Sequence, residues 1–233
     1  MGPLPAVTSP RSSHNRTRPD HSALMDRVYR GQRHIYDLTR KYYLLGRDAL
    51  IQRMEVHEGD RVLEIGCGTA RNLIQLARRS PSIRLYGIDA SAEMLKTAQR
   101  NLSRAGLAHR VTLAHCLAEE LSAETSFGLT EPFDTVFFSY SLSMIPEWQA
   151  AVDQGLSNLK ANGSLWVVDF WDQQSLPTCF ATLLRKWLSL FHVHHRPELL
   201  TYFQELESSA AVKLYIEPLY RRYAYMARLT KIT

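Results

Sequence analysis

The chain has 233 residues, 45% of them apolar, which is enough for one enzyme-sized domain with a sizeable core. Its three cysteines and nine histidines show no spacing typical of a disulfide framework or a zinc site, and no apolar run approaches the roughly eighteen residues that span a bilayer. The net charge of +5 favours an acidic partner such as nucleic acid or an anionic lipid surface.

The first segment, residues 1–20, is predicted to be a disordered tail because it combines prolines with Ser and Arg and has no apolar periodicity. It lacks the apolar core of a signal peptide, which predicts a cytoplasmic protein. Residues 21–233 are predicted to form a single domain, with a helical lid at 21–54 and the core at 60–233. The lid is rich in Arg and Tyr and is expected to fold over a ligand. The alternative is a surface helix pair with aromatic core anchors.

A glycine loop follows the first apolar strand, between Val62 and Thr69. The strand carries Glu64, and Gly66 and Gly68 allow the backbone to turn sharply and approach a ligand. A Rossmann dinucleotide fingerprint would have a third glycine at Arg71, and the Gly-Lys-Ser/Thr ending of a phosphate loop is absent. These features favour an adenosine-like ligand, with a helix beginning near Ala70.

A second strand, Ile83 to Ile88, ends in Asp89, about 25 residues after Glu64. That spacing is near the one at which a doubly wound unit places its ribose-binding carboxylate. Ser91 then offers an N-cap before a helical apolar pattern.

Glu-Ile-Gly-Cys-Gly-Thr, Gly-Ile-Asp-Ala-Ser and the following Met-Leu closely resemble the first two motifs of class I S-adenosylmethionine-dependent methyltransferases. The resemblance implies S-adenosyl-L-methionine as cofactor. Tyr36, in a Tyr-Asp pair like one that precedes the nucleotide-binding unit in several small-molecule methyltransferases, is implied to help bind it. The other residues implied to bind the cofactor are Glu64, Gly66, Cys67, Gly68, Asp89, Ala90, Met94, Leu117, Ala118 and Ser139. The alternative for the glycine motif is an ordinary turn in a parallel-sheet core.

The rest of the chain alternates strands and helices, which predicts an α/β fold: a Rossmann-like, doubly wound and mostly parallel sheet. Only residues 218–222 separate the last two strands, so these must pair antiparallel as a C-terminal hairpin. Asn162-Gly163 is expected to turn the chain just before the fifth strand. The predicted elements are Arg110–Ala114, Phe133–Ser139, Glu147–Lys160, Ser164–Phe170, Lys213–Glu217 and Tyr223–Leu229.

Two loops at strand ends complete the expected site. After the third strand the acidic residue that family members often place near adenine is missing. Glu119 and Glu120 are interpreted as a solvated helix start, and the alternative is that one of them lies near the adenine. After the fourth strand the Asn/Asp-Pro-Pro-aromatic signature of nucleic-acid base methyltransferases is absent, so nucleic acid is not expected as a partner. Tyr140 is expected to place its ring or hydroxyl beside the acceptor amine.

Four longer stretches resemble the bacterial betaine-lipid N-methyltransferases: residues 29–48, 139–148, 167–172 and 191–199. This resemblance implies trimethylation of the amine of diacylglyceryl-homoserine to diacylglyceryl-N,N,N-trimethylhomoserine. The alternatives are a phosphatidylethanolamine N-methyltransferase and a non-catalytic protein that binds cofactor or lipid. The sequence leaves the oligomeric state open.

Methyl transfer by direct displacement depends mainly on alignment, but the amine must be neutral when it attacks. The candidate catalytic residues are Tyr29, His34, Tyr36 and Tyr140, with Asp169 as a further proton acceptor. Residues 180–192 predict an amphipathic helix whose Trp187 and Phe191 suit an anionic membrane surface, giving a peripheral membrane location. The alternative is a helix that packs on its own sheet. His194 and His195 are candidates for a headgroup anion or a solvated turn.

Overall fold

A computed structural model describes residues 44–174 and 196–232. The predicted tail, most of the predicted lid and the predicted helix at 180–192 lie outside the described residues. The candidates Tyr29, His34, Tyr36, His194 and His195 also lie outside them. The described helices are α1 (Arg47–Arg53), α2 (Arg71–Arg79), α3 (Ala92–Arg104), α4 (Ala123–Phe127), α5 (Trp148–Ser157) and α6 (Glu198–Ser208). The strands are β1 (Arg61–Ile65), β2 (Arg84–Asp89), β3 (Val111–His115), β4 (Phe133–Ser139), β5 (Leu159–Phe170), β6 (Val212–Leu219) and β7 (Ala224–Lys231).

The seven strands form one sheet in the order β3-β2-β1-β4-β5-β7-β6. Strands β1 to β5 pair in parallel, whereas β7 pairs antiparallel with both β5 and β6. The Rossmann-like fold and the C-terminal hairpin predicted from the sequence are therefore confirmed. The strand order reverses between β1 and β4, which is the point where open α/β sheets bind ligands beyond the carboxyl ends of their strands.

Alternate residues of the strands build two apolar layers, one on each face of the sheet. One layer joins Val62, Leu85 and Phe137 to Leu50 and Leu73 of the helices α1 and α2. The other layer contains Leu63, Ile65 and Phe138, and helices α5 and α6 contribute Val152 and Phe203. Both faces of the parallel strands are covered, so the carboxyl edge of the sheet is where their side chains can face a ligand.

Strand β5 begins earlier than the sequence indicates. The expected start was Ser164, but the strand runs from Leu159, and its register against β4 shifts between Phe133 and Thr135. Asn162 has φ 61°, so the Asn-Gly turn forms an irregularity inside the strand. In the described part of the chain, no helix has the length and apolar character needed to cross a membrane.

Candidate functional site

The glycine loop leaves β1 in a left-handed conformation. Gly66, Gly68 and Ala70 all have positive φ, and the N–H groups of Gly66 and Cys67 both donate to the Ile88 carbonyl at 2.9 Å. A Cβ at Gly66 would lie 2.6 Å from the Ser141 Cβ, so only glycine fits there without displacing its neighbour. The loop is therefore wedged between the end of β2 and the segment after β4.

Asp89 ends β2 and lines the same cavity as the glycine loop. Its Oδ2 accepts from the Gly68 N–H at 2.8 Å and its Oδ1 from the Ser91 N–H at 2.9 Å. Ser91 also caps α3, because its hydroxyl accepts from the Met94 N–H at 3.3 Å. A carboxylate has about four lone-pair sites, so Asp89 can accept ligand hydroxyls as well.

Beyond β3 the cavity is mainly apolar. Leu117 and Ala118 line it together with Met94 and Ile88, and Glu119 contributes the carboxylate of this wall. Glu119 belongs to a short 3-10 helix, Ala118–Glu120, and is half-buried. Glu119 therefore lies on this wall of the cavity, which agrees with the alternative interpretation of an acid near this part of the site.

The opposite wall is the segment after β4, residues 140–147, which we call the β4 loop. Met144, Ile145 and Pro146 give it an apolar surface, and the exposed Glu147 lies at its end. Tyr140 also lines the cavity and has φ 56°. Its ring packs edge-to-face against Phe170, with the two ring centroids 4.6 Å apart.

The Tyr140 hydroxyl donates to the Leu45 carbonyl. Burial, together with the nearby Tyr223 and Asp169, raises the pKa of Tyr140 well above its ordinary value. A hydroxyl that donates its proton in a buried site is not placed to accept one. This geometry does not favour Tyr140 as a proton acceptor, but Tyr140 lines the cavity, and its place among the catalytic residues stays a prediction.

Asp169, the other proton-acceptor candidate in the described part, is 1% exposed and lies at the end of β5. Its Oδ2 accepts from the Ser143 N–H at 2.9 Å and its Oδ1 from the Phe170 N–H at 2.8 Å. Burial raises the pKa of Asp169 to about 6, against the opposing effect of these hydrogen bonds and of the Arg196 charge. Because Asp169 does not line the cavity, it is not in direct reach of an acceptor there.

The cavity brings together most of the predicted cofactor residues: Gly66, Gly68, Asp89, Ala90, Met94, Leu117 and Ala118. Glu64, Cys67 and Ser139 do not line it. The buried Glu64 instead accepts from the Asn72 amide at 2.7 Å, and Cys67 is buried against β2, where a Cβ on Gly87 would lie 3.0 Å from its sulfur. The buried Ser139 hydroxyl has no hydrogen-bond partner among the residues described.

The predicted site residues do not include the apolar lining of the two walls: Ile65, Ile88, Cys116, Met144, Ile145 and Pro146. Position could have found the first three, because they lie at or just beyond a strand's carboxyl end. The other three belong to the β4 loop, where Glu147 also lines the cavity. In the described part of the chain, no group of three or more His, Cys, Asp or Glu residues is arranged to hold a metal ion.

Comparison with known proteins agrees with this architecture. Residues 56–211 match the family described as a methyltransferase domain. Demethylmenaquinone methyltransferase of Listeria monocytogenes is 26% identical over 196 residues, covering 84% of this chain and 76% of that protein. The YcgJ protein of Bacillus subtilis has a TM-score of 0.62 at 16% identity, covering 81% of this chain and 98% of that one. A SAM-dependent methyltransferase of Aquifex aeolicus has a TM-score of 0.59 at 17% identity, covering 92% and 98%.

Proposed function

This chain belongs to the methyltransferase-domain family, and from that premise we propose that it methylates the headgroup amine of a lipid, diacylglyceryl-homoserine. The coarser activity is that of an S-adenosylmethionine-dependent methyltransferase. The product of the proposed reaction is the betaine lipid diacylglyceryl-N,N,N-trimethylhomoserine. The phosphatidylethanolamine headgroup offers the same amine chemistry and is the alternative substrate.

The residues of the cavity fit S-adenosylmethionine. Asp89 presents a carboxylate to ribose hydroxyls, and Leu117 and Ala118 offer an apolar surface to adenine. Gly66 lines the cavity and lets the glycine loop pack closely against Ser141. When bound, the cofactor supplies an electrophilic methyl group on a positively charged sulfur. The work of the protein is to hold donor and acceptor in line and to exclude water from between them.

The acceptor proposal rests on the β4 loop. Its lining residues Met144, Ile145 and Pro146 are apolar, and Glu147 follows them with an exposed carboxylate. This order suits an acceptor with an apolar body and a cationic amine, because the negative charge attracts the ammonium form to the rim. The loop lies within one of the stretches that resemble betaine-lipid N-methyltransferases.

The hydrogen bonds of Tyr140 and Asp169 are compatible with nitrogen as the acceptor. The Tyr140 hydroxyl donates a hydrogen bond to the Leu45 carbonyl, and both Asp169 oxygens already accept backbone N–H groups. A C-methylation needs a base near the acceptor, whereas an amine loses its proton to water before it attacks. The β4 loop offers no such base except the rim carboxylate of Glu147.

A second candidate is demethylmenaquinone, the substrate in the name of the relative from Listeria monocytogenes. The apolar wall of the β4 loop accommodates a quinone ring as well as the apolar part of a lipid. The two candidates differ in how they interact with the Glu147 carboxylate. The ammonium form of an amine lipid is attracted to it, whereas an uncharged quinone ring is not.

The deciding experiment incubates the purified protein with methyl-labelled S-adenosylmethionine and one detergent-dispersed acceptor per reaction. The acceptors are diacylglyceryl-homoserine, phosphatidylethanolamine and reduced demethylmenaquinone, and mass spectrometry identifies the products. Methylated homoserine lipid supports the proposal, phosphatidylcholine favours the alternative headgroup, and menaquinone overturns the amine assignment. The Asp89→Ala variant is the background control. Label in no product, with cofactor binding confirmed, leaves a protein that binds cofactor without methylating these lipids.

The rim carboxylate gives a matched test within that assay. Glu147→Gln is expected to raise KM for the amine lipid up to about fivefold, the effect of one exposed ion pair, without lowering kcat. The increase should shrink as salt is added, because salt screens exposed charges. An unchanged KM at low salt would remove the electrostatic support for a cationic acceptor.

We further propose that the protein works at an anionic membrane surface, which its pI of about 9.2 supports. Trp187 and Phe191 are the proposed anchors, although they lie outside the described residues. Trp187→Ala/Phe191→Ala is expected to reduce co-sedimentation with anionic vesicles while S-adenosylhomocysteine binding is unchanged. Equal sedimentation of this variant and the unaltered protein would contradict the anchor.

A further inference from the structure

The β4 loop is fastened first to the glycine loop. The Ser141 hydroxyl donates to the Ile65 carbonyl at 2.9 Å, and the Ser141 Cβ occupies the space that a side chain on Gly66 would need. Within the loop, the N–H groups of Met144 and Ile145 donate to the Ser141 carbonyl at 3.0 and 3.1 Å. The loop is thus a short turn seated on the cofactor side of the cavity.

Two charged side chains fasten the loop from behind. Asp169 accepts from the Ser143 N–H at 2.9 Å, and Arg196, just before α6, donates from Nη2 to the Ile145 carbonyl at 3.1 Å. Neither Asp169 nor Arg196 lines the cavity. Arg196 contacts Ile145, which is a lining residue, and Asp169 contacts the residue next to the lining residue Met144. Ionising a buried acid costs free energy. A charged Asp169 at the end of β5 therefore has to be stabilised by specific contacts.

We propose that Asp169 and Arg196 are positioning residues that hold the β4 loop in the geometry required for cofactor binding. The ionised carboxylate accepts two backbone N–H groups, one from the loop and one from β5. Protonation turns one carboxyl oxygen into an O–H donor and makes the carboxyl a weaker acceptor than the carboxylate. The attachment of the loop through the Ser143 N–H is then weakened. The proposal depends on S-adenosylmethionine as cofactor and not on the identity of the acceptor.

The charged and titratable groups that act on Asp169 come from three directions. Arg196 precedes α6, Tyr225 pairs with Asp169 across β7, and Tyr140 begins the β4 loop. Burial raises the pKa of both tyrosines well above their ordinary range, and a guanidinium stays charged in proteins. Among these groups only Asp169 titrates near pH 6, where burial places its pKa.

The test measures S-adenosylhomocysteine binding by calorimetry between pH 5 and 8, so no acceptor is needed. The unaltered protein is expected to bind about tenfold more weakly at pH 5 than at pH 7.5, the effect of one hydrogen bond to a charged group. Asp169→Asn is expected to bind about tenfold more weakly at pH 7.5 and to lose the transition near pH 6. Identical pH profiles for both proteins would overturn the proposal.

His115 is the matched control, because its Nε2 lies 2.9 Å from the carbonyl oxygen of Ala90 at the other end of the cavity. The His115→Gln variant must therefore keep the transition that Asp169→Asn loses. If the transition follows His115 instead, Asp169 does not act as proposed.

A measurement on the unaltered protein keeps the proposal testable if Asp169→Asn fails to fold. Hydrogen exchange of the peptide that covers the β4 loop, corrected for the intrinsic rate, is expected to be faster at pH 5 than at pH 7. Equal protection at both values would contradict the proposal. Because neither readout uses an acceptor, failure here is distinct from failure to methylate the proposed lipid.

Discussion

At the scale of single residues, the cavity depends on one close approach between two loops. Gly66 has φ 76°, a conformation that costs other residues about 1–2 kcal/mol, and it faces the Ser141 Cβ. Both conditions exclude a side chain at this position. The same approach also brings the cofactor-side and acceptor-side walls together, so a change at Gly66 affects both.

Gly66→Ala is therefore expected to lower the free energy of unfolding by about 2 kcal/mol or more and to weaken S-adenosylhomocysteine binding at least tenfold. Gly59→Ala is the matched control, because Gly59 has φ 84° but a Cβ added there would meet no atom within 4 Å. The control should show the cost of the backbone, about 1 kcal/mol, with normal binding. Urea unfolding and calorimetry measure both quantities. Equal losses in the two variants would show that the contact with Ser141 is unimportant.

At the scale of elements, β2 and α2 approach each other through Gly87. A Cβ at this position would lie 2.7 Å from Leu73 Cδ1 and 3.0 Å from the Cys67 sulfur. Leu73 is fully buried in α2 and Cys67 belongs to the glycine loop. The middle of β2 thus sets the distance between the sheet, the helix and the loop.

Gly87→Ala is expected to destabilise the protein by about 1–2 kcal/mol, because overpacking a core costs about 1–3 kcal/mol. Backbone entropy alone predicts the opposite sign, since glycine in a strand is about 0.5–1 kcal/mol worse than alanine. The sign of the change in the free energy of unfolding therefore decides between the two effects. A stabilised variant would mean that Leu73 and Cys67 move aside easily.

The elements were predictable where hydrophobic pattern and turn chemistry agree. Strand β4 has the predicted bounds, Phe133–Ser139, because it is an apolar run between polar segments, and Ser91 caps α3 as expected. The early start of β5 was not predictable, since its first residues pair with β4 through a register shift around the Asn-Gly turn. Local sequence marks such a turn but does not show that pairing continues on both sides of it.

The site was predictable on its cofactor side, where spacing carries the information. Gly66 and Gly68 lie just beyond β1 and Asp89 ends β2, so their place at the sheet edge follows from topology. The roles of Glu64, Asp169 and Glu119 depend on which way each side chain turns. Glu64 accepts a hydrogen bond from the Asn72 amide, and Asp169 accepts one from the Ser143 N–H. Sequence spacing does not predict which partner a side chain contacts.

At the scale of the whole molecule, the buried charges gather around the cavity. In the described part of the chain, the buried charged side chains are Arg47, Glu64 and Asp169. Glu64 precedes a lining residue, Asp169 binds the β4 loop, and the Arg47 charge acts on Tyr140. Desolvated charges lower stability unless they are compensated, and they are concentrated at functional sites. The buried charges therefore lie near the cavity, where each is compensated by hydrogen bonds.

The burial of Asp169 predicts the sign of the change in the free energy of unfolding with pH. Burial raises its pKa from 3.8 to about 6, so between these values the folded state binds more protons than the unfolded state. The free energy of unfolding must then fall as pH rises from about 4 to 6, by up to about 3 kcal/mol. In urea unfolding across this range, the difference between the unaltered protein and Asp169→Asn isolates the contribution, because both share every other titrating group. A difference that is constant with pH would contradict a raised pKa.

The stability and the binding of S-adenosylhomocysteine are expected to change in opposite directions as pH rises from about 4 to 6. Ionising Asp169 then lowers the free energy of unfolding but strengthens binding. This combination is the behaviour of a positioning residue, because a purely structural residue would not improve binding while it destabilises the fold.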